Sequence, residues 1–198
     1  MSTYRRDSEL STLNRADAGV VVPLSQPLRR VLSVALEVGQ RSGGALDVTV
    51  GPLVDAWGFG PGDAGAGPDD AALRALRPLF GQGALSLSDE GVRKRAPGVR
   101  ADLSAVAKGY AVDRVAAALT QAGHRDFMVE VGGEVAARGQ RPGGGPWRLG
   151  VERPVEGRRE VLRAVPLRDM GMATSGDYRN YRRVEGRRVS HIIDPRTG

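Results

Sequence analysis

Apolar residues recur at spacings of three and four over residues 26–41, where Leu28, Val31, Leu32, Ala35 and Val38 predict an amphipathic helix ended by Ser42-Gly43-Gly44. A short second helix is predicted over 69–80, with Leu73, Leu76 and Phe80 on one side, Gly81 after it and Pro78 disturbing its last turn. The clearest helical stripe lies over 104–122: Ala107, Tyr110, Ala111, Val115, Ala118, Leu119 and Ala122, with Gly123 placed as a C-terminal cap. Strand patterns follow at 127–131, 134–138, 147–152, 161–167, 170–174, 178–184 and 188–193. Glu185-Gly186 reads as the hairpin turn between the last two, and 139–146 as a flexible loop. Helices dominate the first half and closely spaced strands the second. This predicts an α+β fold, with helices packed on a mixed, largely antiparallel sheet in a single domain over 1–198. No internal repeat is visible.

Composition narrows the chemistry. The chain has 198 residues, 28 of them Gly, and no Cys, so disulfides, thiolate metal sites and Cys nucleophiles are excluded. No apolar run approaches the roughly 20 residues needed to span a bilayer. The balance of 29 Lys+Arg against 23 Asp+Glu gives a net charge of +6, carried almost wholly by Arg. Short clusters stand at Arg29-Arg30, Arg158-Arg159, Arg182-Arg183 and Arg187-Arg188. They read as solvated surface arginines, with a polyanion-binding face as the alternative.

Familiar nucleotide motifs are missing. There is no Gly-x4-Gly-Lys-Ser/Thr. Gly58-Phe59-Gly60-Pro61-Gly62, with Asp63 after it, lacks the following helix of a dinucleotide fingerprint. With only His124 and His191 in the chain, no paired-His motif exists. Four segments remain. In the run 42–54, Asp47 lies among small and apolar residues, where its carboxylate must be hydrogen-bonded. Either it caps local backbone or it faces a ligand. In 102–110, Asp102 and Ser104 suit a helix start. Lys108, one of two lysines, and Gly109 inside the helix suit an approaching phosphate equally well. Gly132-Gly133 within 130–134 implies a bulge or a close ligand. The fourth segment pairs Thr174–Tyr178 with Ser190–Pro195. There His191 is either a satisfied core residue or a general base oriented by Asp194 or Asp177. His124, just past Gly123, reads as structural.

Together these segments resemble the ApbE family of flavin transferases. Met1–Tyr4 with Asp7–Ser11 and Asn14 is similar to its opening motif. Gly44–Thr49, Trp57–Gly60, Asp102–Tyr110, Val131–Glu134, Ser175–Tyr178 and Ser190–Gly198 follow in the family's order. Any one would be weak, but together in register they are specific. Leu46 stands where the family often has Phe.

The resemblance implies transfer of FMN from FAD to a Thr or Ser hydroxyl of a target protein, with Mg2+ at the pyrophosphate and AMP leaving. FAD hydrolysis to FMN and AMP, or FAD binding without catalysis, are the alternatives. By matching position, Tyr4, Ala45, Leu46, Asp47, Asp102, Lys108 and, through its backbone, Ile193 would contact FAD. Ala105 would give a carbonyl oxygen to Mg2+, and His191 would be the general base. The implied partners are FAD and a subunit of a membrane redox complex on the periplasmic face of the bacterial inner membrane. Nucleic acid is not among them, and a homodimer is left open. Family members begin earlier, with an export signal and a lipobox Cys, and continue past the final Gly. The continuation carries the Asp and Thr that complete the metal site. The expectation is therefore an incomplete copy with impaired metal binding.

Overall fold

The computed structural model describes residues 1–61, 66–81, 83–155, 158 and 160–198. Gly62 and Asp63 of the rejected glycine-rich stretch, and Arg159 of one arginine pair, lie outside the described residues. The elements in chain order are α1 Glu9–Arg15, β1 Val21–Val22, α2 Gln26–Arg41, α3 Gly51–Ala56 and α4 Asp70–Leu76, the last continued by a 3-10 turn over Arg77–Leu79. Then come β2 Leu85–Leu87, β3 Val92–Lys94, α5 Ala107–Gln121, β4 Phe127–Val131, β5 Glu134–Arg138, β6 Trp147–Glu152, β7 Val161–Leu167, β8 Met170–Met172, β9 Tyr181–Val184 and β10 Arg187–Ser190. Every pairing between these strands is antiparallel, in four small sheets, as an α+β chain requires. Among the described residues no helix is long and apolar enough to cross a membrane. The chain forms two compact units, Met1–Ala105 with Tyr181–Gly198, and Val106–Asn180.

In the first unit α2 follows its periodicity. Ser25 caps its start by accepting from the Leu28 amide, and Pro27 sits in the first turn, where no amide is needed. Leu28, Val31, Leu32 and Ala35 are buried as expected, but Gly39 takes the inward place predicted for Val38, which is exposed. Gly43 and Gly44 adopt positive φ and close the helix, the Gly44 amide donating to Gly39 O at 2.9 Å. The sheet β1-β3-β2 and the short helices α1 and α3 went unpredicted, being too brief to show a period. The second predicted helix is shorter than 69–80, because Pro78 diverts its last turn into the 3-10 segment. Leu10, Leu13, Leu28, Leu32 and Leu53 are fully buried in this unit. The two strands predicted at the end shrink to β9 and β10, joined by the expected turn. Glu185 and Gly186 have φ of 48° and 79°.

The second unit is layered. One face of the β4-β5-β8 sheet carries Phe127 and Ala136 against Val112 and Ala116 of α5, with Leu119, Val129 and Val131 at the edge. The other face sets Val135 and Ala137 against Leu167, Trp147, Leu149 and Val165 of the β6–β7 ribbon. Strand β5 is thus covered on both sides. Two expectations are corrected here. Helix α5 starts at Ala107, not 104, and its buried residues are Val112 and Ala116; Val115, predicted inward, is 44% exposed. Gly132-Gly133 is no bulge. With φ of 59° and 93° it forms a two-residue turn between the paired Val131 and Glu134, a geometry that glycine admits without a Cβ clash. The strand predicted over 170–174 stops at Met172. The 139–146 loop is ordered by mutual bonds between Arg141 and the 144–145 backbone.

Candidate functional site

The site residues of the first unit rest on a backbone junction. Val50 pairs with Arg100, and the Asp102 amide donates to Val48 O at 2.7 Å, so the segments carrying Asp47 and Asp102 are held together. Gly51 makes this approach feasible, because a Cβ there would lie 2.7 Å from Arg100 O. Each carboxylate is then fixed by an amide two residues on. Asp47 Oδ1 accepts from the Thr49 amide at 2.8 Å and from Thr49 Oγ1 at 2.6 Å. Asp102 Oδ1 accepts from the Ser104 amide at 2.7 Å. Thr49, 1% exposed, in turn accepts from the Gly81 amide. The local-capping reading of Asp47 therefore holds for one oxygen, and Oδ2 lies outside that arrangement.

Helix α3 links this junction to a second group. Its Asp55, half-buried, pairs with Arg100. Burial pushes the Asp55 carboxyl above the ordinary value of 3.8; Arg100 partly offsets this and the nearby Asp102 charge adds to it. The Asp55 carboxylate lies where a Cβ on Gly60 would have to go, so Gly60 is bare of necessity. After α3 the chain turns back: Gly58 and Phe59 amides donate to Asp55 O and Val54 O. On this 57–60 loop two predicted residues meet. Tyr4 donates its hydroxyl to Phe59 O at 3.2 Å, and the His191 ring lies edge-on to Phe59 with centroids 6.3 Å apart.

His191 is not in a strand, as the sequence suggested, but in the exposed bend just after β10. Beyond it the 194–198 turn is docked. Trp57 Nε1 donates to Gly198 O at 2.7 Å, and Arg77 to Pro195 O at 3.1 Å. Asp194 is not shown as the orienter of His191. Both its oxygens accept from Arg196 at 2.9 Å, which holds its carboxyl down at about 2. Ile193 is half-buried in this bend, Leu46 half-buried and Ala45 exposed in the turn before Asp47.

In the second unit, Lys108 stands one residue into α5, whose first turn has no side-chain cap. Its ammonium donates to Gly132 O at 3.0 Å and lies 2.8 Å from Glu134 Oε2, an ion pair without hydrogen-bond alignment. A Cβ at the neighbouring Gly109 would meet nothing within 4 Å, so this corner is open.

Sequence reading missed Asp55 and Arg100. The signal was present: a lone acid within the apolar stretch Gly51–Trp57 requires a cation. A metal is less well served. Among the described residues no group of three or more His, Asp or Glu side chains could hold an ion. Ala105 is exposed and contributes only its peptide carbonyl. These side chains do not fit Mg2+ by themselves.

An α+β chain with two pinned aspartates and an imidazole on one framework is the class of protein at hand. The ApbE family model matches residues 1–198, and the chain belongs to the ApbE family. It is 43% identical to the FAD:protein FMN transferase of Vibrio cholerae over 199 residues, which cover 100% of this chain and 60% of that protein. Against the Haemophilus influenzae FAD:protein FMN transferase the identity is 41%, covering 100% and 59%. The solved structure of flavin transferase ApbE from Vibrio cholerae superposes with a TM-score of 0.88 at 41% identity, covering 100% of this chain and 63% of that one. The Thermotoga maritima ApbE protein gives 0.87 at 30% identity, covering 98% and 64%. The chain thus spans about 60% of the length of the curated relatives it matches.

Proposed function

We propose that the protein transfers FMN from FAD to a Thr or Ser hydroxyl of a target flavoprotein. The hydroxyl oxygen forms a bond to the FMN-side phosphorus, the bond to the AMP phosphate breaks, and AMP leaves. His191 takes the hydroxyl proton; its imidazole is exposed and so reachable by an acceptor. Asp47 and Asp102, with Tyr4, Ala45, Leu46 and Ile193, contact FAD. We place the acceptor among subunits of membrane redox complexes at the periplasmic face.

One observation carries this reading above others. The Val48–Asp102 bond, the Asp55–Arg100 pair and the Tyr4–Phe59–His191 contacts form one continuous framework. Tyr4, Asp47, Asp102 and His191, which the family resemblance assigns to a single reaction, all belong to this framework of the first unit, although their positions in the chain are far apart. That the curated relatives are named FAD:protein FMN transferases points to the same activity.

The test is incubation with FAD and a Thr-bearing acceptor, following in-gel flavin fluorescence of the acceptor and AMP by chromatography. His191→Asn is expected to keep FAD binding and to lose transfer by roughly 100-fold or more. Wild-type transfer by that variant would overturn the assignment. The exposure of His191 favours one competing outcome, FMN and AMP appearing without labelled acceptor, which would identify water as the nucleophile.

A further inference from the structure

Leu10 and Leu13 seat helix α1 in the core of the first unit, and Ser11 is buried between them. The Ser11 hydroxyl donates to Arg5 O at 2.7 Å and to Ser2 O at 2.9 Å. Ser8, at the N-cap position, makes no side-chain cap bond; its Oγ accepts from the Ser2 amide at 2.9 Å instead. Ser2 Oγ in turn accepts from the Tyr4 amide at 3.1 Å and the Arg5 amide at 3.3 Å. The turn that carries Tyr4 is therefore clasped to α1. Asn14 stands three residues after Ser11, on the same side of the helix. Both ends of its side-chain amide are engaged: Nδ2 donates to Ala101 O at 2.9 Å, and Oδ1 accepts from the Ala101 amide at 2.7 Å. Ala101 is 1% exposed, so losing Asn14 would strip a partner from two buried backbone groups directly before Asp102. The buried Lys94 ammonium donates to Asn14 O at 2.9 Å and fixes the last turn of α1.

We propose that Ser11 and Asn14 are positioning residues for the flavin site: α1 acts as a gauge that sets Tyr4, through Ser11, and Asp102, through Asn14, at one separation. The inference rests on the function proposed above, which places Tyr4 and Asp102 on FAD. Ser11 and Asn14 each hold the backbone of a different segment. Each therefore acts through a different ligand contact, which a general stabilising role would not do.

The experiment measures FAD affinity of the 198-residue chain by quenching of flavin fluorescence. Ser11→Ala and Asn14→Ala are each expected to weaken binding about fivefold or more. In a Tyr4→Ala background, Ser11→Ala should add less than about twofold, while Asn14→Ala keeps its full effect. In an Asp102→Ala background the pattern reverses. Asn14→Asp keeps the acceptor for the Ala101 amide and loses the donor to Ala101 O, so it closes the same cycle if Asn14→Ala does not fold. Ala35→Gly, in α2, which carries none of these bonds, lowers stability and should leave the affinity unchanged. Equal weakening by Ala35→Gly would show stability alone at work and overturn the proposal. So would additive effects in both backgrounds, or wild-type affinity in Ser11→Ala and Asn14→Ala. Wild-type affinity in Tyr4→Ala and Asp102→Ala would remove the flavin-site reading itself, and the gauge with it. Weakened binding by those two, with additive cycles, removes the gauge alone.

Discussion

Gly51 is a residue whose lack of a side chain shapes the site. A methyl group there would press on Arg100 O, a backbone atom that cannot rotate away. Gly51→Ala should therefore cost about 1–3 kcal/mol of stability, read by urea denaturation, and should weaken FAD binding, read by fluorescence quenching. Asp55 makes a prediction of the opposite kind. Its carboxyl titrates above 3.8 when folded, so between these two values the folded chain holds a proton that the unfolded chain has released. The stability linked to this group is full below about 3.8 and declines as pH rises through the folded value. Asp55→Asn should remove that slope. The wild type should lose stability relative to the variant on going from acid to neutral pH, and parallel curves would contradict the assignment. Asp194 behaves in reverse: its contribution is present above the ordinary value and lost only as pH falls through about 2.

At the scale of elements, α5 shows how far a pattern can mislead. Its apolar residues are spread widely around the axis, so periodicity alone offers two stripes about a third of a turn apart. The partner sheet selects Val112 and Ala116 because Phe127 and Ala136 face them. Val112→Ala is expected to cost about 1–2 kcal/mol and Val115→Ala less than about 0.5, measured by denaturant melts. Reversed values would restore the predicted stripe. Much else was legible. The helix over 26–41 has its predicted bounds because Ser25 and Gly43-Gly44 punctuate it. The two Gly-containing pairs at 132–133 and 185–186 mark hairpins, although the first, lying inside a continuous strand pattern, was read as a bulge or a close ligand approach. The site residues were legible through resemblance, whereas the Asp55–Arg100 pair was not. Its members are remote in sequence, and no periodicity records a contact that only folding creates. Strands of two and three residues, such as β1 and β3, are likewise set by the neighbours they find and not by their own composition.

At the scale of the whole chain, each compact unit keeps its own buried apolar residues. Leu53 is wholly buried in the first, and Ala137 in the second. Leu53→Ala should cost about 2–5 kcal/mol. Hydrogen exchange by mass spectrometry should show protection lost first over 1–105 and 181–198, with the strands β4 and β5 responding less. Uniform loss would mean that the units share one cooperative transition. The surplus of arginine acts on this scale too, since a net charge of +6 attracts anionic partners from a distance that shrinks with added salt.

The bend that carries His191 is fastened on both sides, by the β9–β10 ladder before it and by the Trp57 and Arg77 bonds to the turn after it. A span resting on two piers sags little. The entropy of settling this imidazole is lost once, when the chain folds, and not again at every encounter with a substrate. Loosening the farther pier, as in Trp57→Phe, would set the ring wandering while leaving every atom of the ring intact.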